Sequence, residues 1–447
     1  MSDFKKIGYQ ALSVLIGQWA LVGFALIDSA IAGHINPTEL AALSIGAAIY
    51  LTVFISLLGV IQAVLPIIGQ LFGAHRYEEI GYQTRQSLYL ATWISVLGLL
   101  CLIFPTPLFT IANINEERQL LVQGYLNTLA IGFIPAVFFR IYVALNQAIS
   151  RPLFVTILQI GALFIKVPLA YFLAFKMEMG IAGCGLSTSI INSLLFLVGL
   201  IMLFKLSAYR LFQLFKKMEP PAWKDQKDLM LLGIPIGFSS FIEVAGSTFM
   251  ALFIARFQSD LFSSAHQLMI QISAIIFQIP LSIGIASSAI VAQYIGARKM
   301  QQARTAGISG VKMSIGFTAL ACLLVFTLRH TFLGLFTDHS DVLTLAISLT
   351  GFVIFYQMFD SAQITPAFIL RAYKVAILPT ILYAVTLWGI GLGGGYLIAF
   401  NHFEFMPEIM QNPAGFWFAS GLGLCLCALT LNLLLRIVSK RRITEAL

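Results

Sequence analysis

Apolar runs long enough to cross a bilayer recur along the whole chain. A helix needs about 20 apolar residues to span the hydrocarbon layer. A backbone in lipid must also satisfy its own hydrogen bonds, so each such run predicts a transmembrane helix. Twelve runs meet this requirement, at residues 8–33, 41–71, 84–108, 118–146, 153–175, 180–206, 229–255, 261–295, 305–333, 342–370, 376–400 and 413–437.

The composition agrees with a chain that lies mostly in lipid. It is 59% hydrophobic and only 10% charged over 447 residues, whereas soluble domains have roughly 25% charged residues. The five cysteines lie inside apolar runs and show no spacing typical of a metal site or a disulfide framework. The sequence therefore predicts an all-α polytopic membrane protein with twelve transmembrane helices.

Lysine and arginine are distributed unevenly between the predicted loops. If both termini are cytoplasmic, 22 of the 27 basic residues, Arg140 among them, fall on that side, and four fall outside. The remaining one, Lys166, lies within span 5. Such an excess predicts that both termini are cytoplasmic. The net charge of +8 is then explained by topology and contact with anionic lipids, not by nucleic-acid binding.

The longest polar segment, residues 207–228, divides the chain into two halves. Leu and Phe alternate with Arg and Lys at its start, which predicts an amphipathic helix on the cytoplasmic surface, ended by Pro220 and Pro221. The predicted organisation is an N-terminal six-helix lobe at 1–206, this linker, and a C-terminal six-helix lobe at 229–447.

A short motif repeats at equivalent points of the two halves. The pattern Gly-Ala-basic-basic occurs at Gly73–Arg76 and again at Gly296–Lys299, an offset of 223 residues. A similar offset places Gln18 opposite Glu243. With six spans in each half, the repeats have the same orientation in the membrane. Parallel repeats of this kind predict a substrate cavity between the halves, near the middle of the bilayer.

Four ionisable residues stand out within the predicted spans: Asp28 in span 1, Lys166 in span 5, Glu243 in span 7 and Asp360 in span 10. A charge at the centre of a membrane helix costs about 2.5–3.5 kcal/mol on insertion scales. Intramembrane charges are therefore functional candidates, and each needs a compensating partner.

The two acids of the C-terminal half have distinct helix faces. Small or hydroxylic residues lie three and four positions from Glu243, namely Ser239, Ser240, Gly246 and Ser247. That face suits a wet cavity or the close approach of another helix. A phenol and two amides lie around Asp360, namely Tyr356, Gln357 and Gln363. No basic residue is expected deep in this half, because Arg371 reads as a cap at the inner surface. The acid pair is predicted to hold a proton, a sodium ion or an organic cation.

Asp28 has no polar neighbour on its own helix face, so it needs a partner from another span. Lys166 is the predicted partner, and the pair is either a static helix contact or part of the transport machinery. Near the start of span 8, His266 and Gln267 either line a cavity or lie at the membrane interface. The other histidines fall in loops or at span ends: His34, His75, His330, His339 and His402.

Several segments, taken in order, resemble the multidrug and toxic compound extrusion (MATE) transporters of the NorM-like branch over essentially the whole chain. They are "DSAIAGHI" at Asp28–Ile35, "LPIIGQLFGAHR" at Leu65–Arg76, "SRPL" at Ser150–Leu153, "GIAGCGLST" at Gly180–Thr188, "GIPIGFSSFIE" at Gly233–Glu243 and "LRAYK" at Leu370–Lys374.

The resemblance implies two six-helix bundles facing each other across a V-shaped cavity, and antiport of cationic amphipathic drugs against sodium ions or protons. It implies that Glu243 and Asp360 bind the cation, with Tyr356 and Asp28 at further functional positions. Gln363, Gln267 and Lys166 complete the predicted set. The expected partners are cationic drugs or dyes and membrane lipids, with no cofactor beyond the coupling ion, and the chain is expected to act as a monomer.

One position departs from the family pattern. Where relatives commonly have an asparagine in span 5, followed four residues later by a polar or acidic residue, this chain has Lys166 and Ala170. A lysine repels a sodium ion, so we expect no sodium site in the N-terminal half. Its ammonium group is then either a built-in counterion or a proton-linked partner of Asp28.

Two other functions fit the sequence less well. A flippase for lipid-linked precursors or polysaccharides, from the same superfamily, needs several basic residues inside to bind pyrophosphate, but this chain has one predicted intramembrane base against three acids. A membrane-embedded enzyme needs a histidine cluster, a His-Glu metal helix or a serine–base pair within the spans, and none is predicted. The sequence therefore favours a drug exporter and no enzymatic activity.

Overall fold

The computed structural model describes residues 2–107, 109, 116–216, 218–334, 339–401, 404 and 406–445. His402, which the sequence places in a loop, and Lys217, which it places in the linker, lie outside these residues. Within the described ranges the regular structure is entirely helical. The helices are α1 (Asp3–Ile35), α2 (Pro37–Ile61), α3 (Val64–Gly73), α4 (Tyr77–Ile103), α5 (Glu116–Ala148), α6 (Pro152–Tyr171), α7 (Ile181–Lys205), α8 (Trp223–Ala255), α9 (Asp260–Gly296), α10 (Met300–Thr327), α11 (Arg329–Gly334), α12 (Ser340–Ala372), α13 (Ile377–Ala384), α14 (Gly394–Ala399) and α15 (Pro413–Thr444).

In the described part of the chain, twelve helical segments are long and apolar enough to cross a membrane, which confirms the predicted all-α polytopic class. Most spans are single helices, but three are interrupted. The second span joins α2 and α3, and the fifth ends in a π-helical turn at Phe172–Lys176. The eleventh passes through a π-helical segment, Val385–Gly393, between α13 and α14. π-Helical turns are rare and frequently lie near functional sites.

Helix α7 begins in an unusual way. Its first flanking residue, Gly180, has a φ of 58°, which glycine adopts without the steric cost of a side chain. The Ile181 N–H donates to Glu39 Oε2 at 2.9 Å. A Cβ on Gly180 would lie 2.7 Å from the Glu39 carboxylate. The turn before α7 is thereby held to the first turn of α2.

The chain packs as two compact units. One comprises Met1–Leu15 with Phe238–Leu447, and the other comprises Ile16–Gly237. In the first unit, buried apolar side chains form two clusters, one that includes Ile290 and Leu424 and one that includes Met269 and Trp417. These units are defined by packing. The division at residues 206 and 229 follows the sequence repeat and stays a prediction.

The linker between the two halves is not the amphipathic helix that its sequence predicts. Before α8 begins at Trp223, the described linker residues are helical only at Ser207–Phe212, as a short 3₁₀ segment, and Gln213 then turns the chain with a φ of 48°. Tyr209 and Phe212 are buried, while Leu211 and Phe215 are exposed. The alternation of apolar residues here arises because one side of a turn packs against the protein. The same alternation is also typical of a helix on the membrane surface.

Arg85 of α4 anchors this linker. Its Nε and Nη2 donate to the two carboxylate oxygens of Glu219, each at 2.7 Å, and its Nη1 donates to the Gln213 carbonyl at 2.7 Å. Tyr82 and Gln83 donate to the Asp225 carboxylate at 2.9 and 2.8 Å. We refer to this set of contacts as the linker clamp. Hydrogen bonds from Arg85 lower the pKa of Glu219 below its ordinary value.

We predict that Arg85→Gln releases the linker, because glutamine cannot replace a bidentate guanidinium. Trypsin should then cut after the exposed Lys216 and Lys224 severalfold faster than in the parent protein. Since the pKa of Glu219 is lowered, the clamp is intact at neutral pH and should weaken as the pH falls through that lowered value.

The matched control is Arg76→Gln, which removes an ion pair with Glu79 in which both side chains are largely exposed. Exposed pairs contribute little to stability, so cleavage of the linker should not change. Equal cleavage rates for the two variants would contradict the clamp.

Candidate functional site

A buried ion pair joins α1 to α6 in the unit Ile16–Gly237. The Lys166 ammonium lies 2.8 Å from Asp28 Oδ1 and donates to Asp28 Oδ2 at 3.0 Å. Asp28 is 6% exposed and Lys166 is fully buried. The pairing predicted from the sequence is therefore present, and it leaves the two charges neutralised by each other.

The ammonium of Lys166 has more oxygen neighbours than it has protons. Besides the two Asp28 oxygens, it contacts Thr188 Oγ1 at 2.5 Å, Ser187 Oγ at 3.0 Å and the Cys184 carbonyl at 3.3 Å. An ammonium has three N–H donors for these five oxygens. Asp28 Oδ1 lies at ion-pair distance but accepts no directed hydrogen bond in the described part of the chain.

Close packing of α7 brings these hydroxyl and carbonyl oxygens to the lysine. Gly185 lies against α5, where a Cβ would be 2.9 Å from the Tyr125 carbonyl. Tyr125 also interacts electrostatically with Asp28. Carboxylate, carbonyl and hydroxyl oxygens are the ligands that hard cations prefer. The Lys166 ammonium therefore occupies the position in which such oxygens would hold a metal cation.

We predict that Lys166→Met lowers the free energy of unfolding by about 3–5 kcal/mol, because it leaves the Asp28 carboxylate buried without its counterion. Adding Asp28→Asn to the same chain should restore most of that loss, since both charges are then absent. The measurement is thermal unfolding of the purified protein in a neutral detergent.

Lys176→Met is the control, because Lys176 is exposed at the end of the same span. It should leave the unfolding temperature unchanged. If the single variant at Lys166 and the double variant unfolded at the same temperature, the charge compensation argued here would be wrong.

In the other unit, Asp360 of α12 is buried at 2% exposure. Gln363, one helical turn further on, donates from Nε2 to Asp360 Oδ1 at 2.9 Å and to the Tyr383 hydroxyl at 3.4 Å. Of the two amide side chains predicted to hold this carboxylate, Gln363 does so. Gln357 instead donates to the Ser273 carbonyl and hydroxyl at 2.6 and 3.0 Å, and so ties α12 to α9.

Glu243 of α8 is partly exposed and interacts electrostatically with Asp360. The two predicted acids therefore come together in one unit. Tyr356 and Tyr383 interact electrostatically with both carboxyl groups. We call Glu243, Asp360, Tyr356, Gln363 and Tyr383 the acid-pair site.

Arg371 corrects one expectation. The sequence places it at the inner surface and predicts no basic residue near the acids, but its guanidinium interacts electrostatically with Glu243 and lies 4.0 Å from the Phe368 ring centroid. Long side chains on a helix lean toward its N-terminus. An arginine in the last turn of α12 thus extends back along the helix, away from the end where its backbone lies.

The small face of α8 permits close packing of helices, one of the two predicted alternatives. The hydroxyls of Ser239 and Thr380 lie 2.7 Å apart, and Trp388 Nε1 donates to the Ile242 carbonyl at 3.0 Å. Thr380 belongs to α13 and Trp388 to the π-helical segment after it. These two contacts hold the backbone next to Glu243 in place. Neither of them involves the Glu243 side chain.

A buried aromatic group adjoins Tyr356. The Tyr356 ring meets the Trp417 ring edge-on, with centroids 5.2 Å apart, and the centroids of the Trp417 and His266 rings are 5.7 Å apart. Within the described residues, neither nitrogen of the buried His266 nor Nε1 of Trp417 has a hydrogen-bond partner. The neighbouring Gln267 is exposed and makes no hydrogen bond in that part of the chain. Its place in a binding site stays a prediction.

Arg140 is a further intramembrane charge that the sequence reasoning missed. The distribution of basic residues places it on the cytoplasmic side, but it lies inside α5, eight residues before the helix ends at Ala148. Span 4 is longer than a bilayer requires, so its apolar pattern does not show where the lipid ends. The signal that identifies it is its position within the predicted span 118–146.

The acid-pair site has the chemistry of a cation site. Two carboxyl groups repel each other when both are ionised, and a bound cation or proton relieves that repulsion. The phenols and the amide of Gln363 supply further oxygen and N–H groups. The Asp28–Lys166 pair has no such free charge.

Comparisons with known proteins agree with each other. The family model described as MatE matches residues 14–172 and again 235–397. The chain is 34% identical over 442 residues to the "Probable multidrug resistance protein NorM" of Aromatoleum aromaticum, covering 98% of this chain and 94% of the relative. It is 28% identical to the multidrug resistance protein MdtK of Proteus mirabilis, covering 94% and 92%.

The fold also matches a solved structure. The eukaryotic MATE transporter AtDTX14 superposes with a TM-score of 0.89 at 18% identity, covering all of both chains. At that identity the likeness concerns the fold alone.

Proposed function

The chain belongs to the MatE family, the multidrug and toxic compound extrusion transporters, in its NorM-like branch, and we propose that it is a multidrug efflux transporter that exchanges cationic amphipathic drugs for sodium ions or protons. Family membership makes it a transporter and not an enzyme. It is a multi-pass membrane protein, and we place both termini on the cytoplasmic side of an inner membrane.

The acid-pair site is the observation that supports this proposal. Glu243 and Asp360 interact within one unit, where Asp360 is almost fully buried. Ionisable groups in membrane spans are expensive and usually functional. Neighbouring residues do not fully compensate the negative charge of this pair, so the pair attracts a cation from either side of the membrane. A proton, a sodium ion and a drug cation can each neutralise the remaining charge.

Exchange follows from competition for the same charges. A bound coupling ion and a bound drug cation each neutralise the pair, so one leaves as the other enters. The conformational change that moves the site between the two sides is a shift between two arrangements, biased by whichever ligand binds each one better. No cofactor other than the coupling ion is needed, and a single chain is sufficient.

We predict that Glu243→Gln and Asp360→Asn each reduce drug export at least tenfold, since each variant removes one of the two negative charges that would hold the cation. The measurement uses everted vesicles and ethidium fluorescence. A sodium gradient is imposed at fixed pH, and then a pH gradient without sodium.

Asp341→Asn is the control, because Asp341 is an exposed acid in the first turn of the same helix as Asp360. It should export normally. Transport driven by sodium alone identifies a sodium antiporter, and transport driven by pH alone identifies a proton antiporter. Absence of ethidium transport under both gradients would refute drug antiport and favour the lipid-precursor flippase.

Lys166 limits ion coupling to the acid-pair site. We predict that Lys166→Asn opens the N-terminal site to sodium, because it removes the ammonium from a group of oxygens suited to a cation. Asp28 should then show sodium-dependent protection from modification by a carbodiimide, which the parent chain should not show. Unchanged sodium sensitivity of both transport and labelling would count against the lysine as a built-in counterion.

A further inference from the structure

The linker between the two halves presents positive charge to its surroundings. Residues 207–224 include four bases and one acid. The acid, Glu219, is held against α4 within the linker clamp. Arg210, Lys216 and Lys224 are exposed, and none of them forms an ion pair in the described part of the chain. The one negative charge of this segment is therefore neutralised by the protein, while its positive charges remain at the surface.

Large apolar side chains are exposed between these bases. They are Leu211, Phe215, Met218 and Trp223. Trp223 has 74% of its surface exposed. The other side of the segment is packed against the protein, because Tyr209, Phe212 and Leu214 are buried. Exposed aromatic and apolar side chains beside basic ones are typical of a segment that lies in the interface of a membrane.

The exposed apolar face of α7 leads directly to these side chains. Its exposed residues recur every three or four positions along one face of this membrane span: Ile190, Leu194, Leu197, Ile201 and Phe204. The Phe204 ring stacks on the Phe215 ring of the linker, with centroids 3.4 Å apart. Phe215 therefore lies where the lipid-facing surface of α7 ends, at the boundary between acyl chains and headgroups.

We propose that Arg210, Phe215, Lys216, Trp223 and Lys224 form a surface that binds anionic phospholipids. The two rings enter the boundary of the acyl chains, and the basic side chains contact the headgroup phosphates. A zwitterionic lipid offers the same apolar contact but no net negative charge, so the bases favour the anionic lipid. All residues of this surface belong to the unit Ile16–Gly237. The inference goes beyond the proposed function, since it concerns no transported molecule.

The test measures lipid contact at Trp223 with the full chain in bilayers, and it does not depend on transport. Brominated phosphatidylglycerol and brominated phosphatidylcholine quench tryptophan fluorescence on contact. The difference between the parent and Trp223→Phe isolates the signal of Trp223, and titration of each lipid gives its relative binding constant. The parent should bind phosphatidylglycerol more tightly. Arg210→Gln combined with Lys216→Gln should lower this preference by about fivefold for each removed charge.

A matched control removes the same charge elsewhere. Lys440→Gln combined with Arg442→Gln changes two exposed bases near the end of α15 and should keep the lipid preference of the parent. Added salt should weaken the preference of the parent for phosphatidylglycerol, because salt screens exposed charges. Quenching of Trp223 by phosphatidylcholine should persist in the same salt, since apolar contact is not screened.

Three results would overturn the proposal. Equal binding constants of the two lipids in the parent would mean that the bases select no headgroup. Equal loss of preference in the two paired variants would assign it to the overall charge of the protein and not to the linker. Absence of quenching at Trp223 by either lipid would place the linker outside the membrane interface, with its apolar side chains left for a protein partner.

Discussion

The cost of an uncompensated charge in hydrocarbon governs the charged residues within the membrane spans. The chain meets this cost in three ways. Lys166 and Asp28 neutralise each other at 2.8 Å. Asp360 accepts a hydrogen bond from Gln363 and shares its surroundings with Glu243 and two phenols. Arg140 has aromatic rings around it and no described counterion. Among the described residues, the first charge is matched by its partner, whereas the second and third are not fully compensated.

The two repeats have therefore diverged at their charged positions. In the first, the cation is covalently part of the protein, and the oxygens of Asp28, Ser187 and Thr188 are already used. In the second, the one basic neighbour that the described residues supply to the acid pair is Arg371, which acts on Glu243. A lysine side chain cannot be exchanged during a transport cycle, whereas a sodium ion or a proton can.

The sequence predicts the parts of this structure that depend on length and pattern. Twelve apolar runs specify twelve spans because a helix of about 20 residues satisfies its own backbone hydrogen bonds in lipid. Asp28 requires a distant partner because its own helix face offers none. The prediction of an amphipathic helix in the linker was wrong because alternating apolar residues fit a packed turn as well as a helix. The contacts of Gln357 and Arg371 were predicted wrongly. Helix spacing fixes the direction in which a side chain leaves the helix axis, but it fixes neither the rotamer nor how far the side chain extends.

A site in which ion and drug compete for the same carboxylates, as proposed, couples the two fluxes without a signal passing between distant sites. Long-range coupling needs two discrete arrangements whose balance both ligands alter. Direct competition needs one condition. The two carboxylates must be unable to stay ionised without a bound cation in surroundings of low dielectric constant. The buried position of Asp360 enforces that condition, and the partial exposure of Glu243 gives ligands a way to meet it. In the exchange proposed here, the unequal burial of the two acids would favour the entry of a second ligand over simple release of the first.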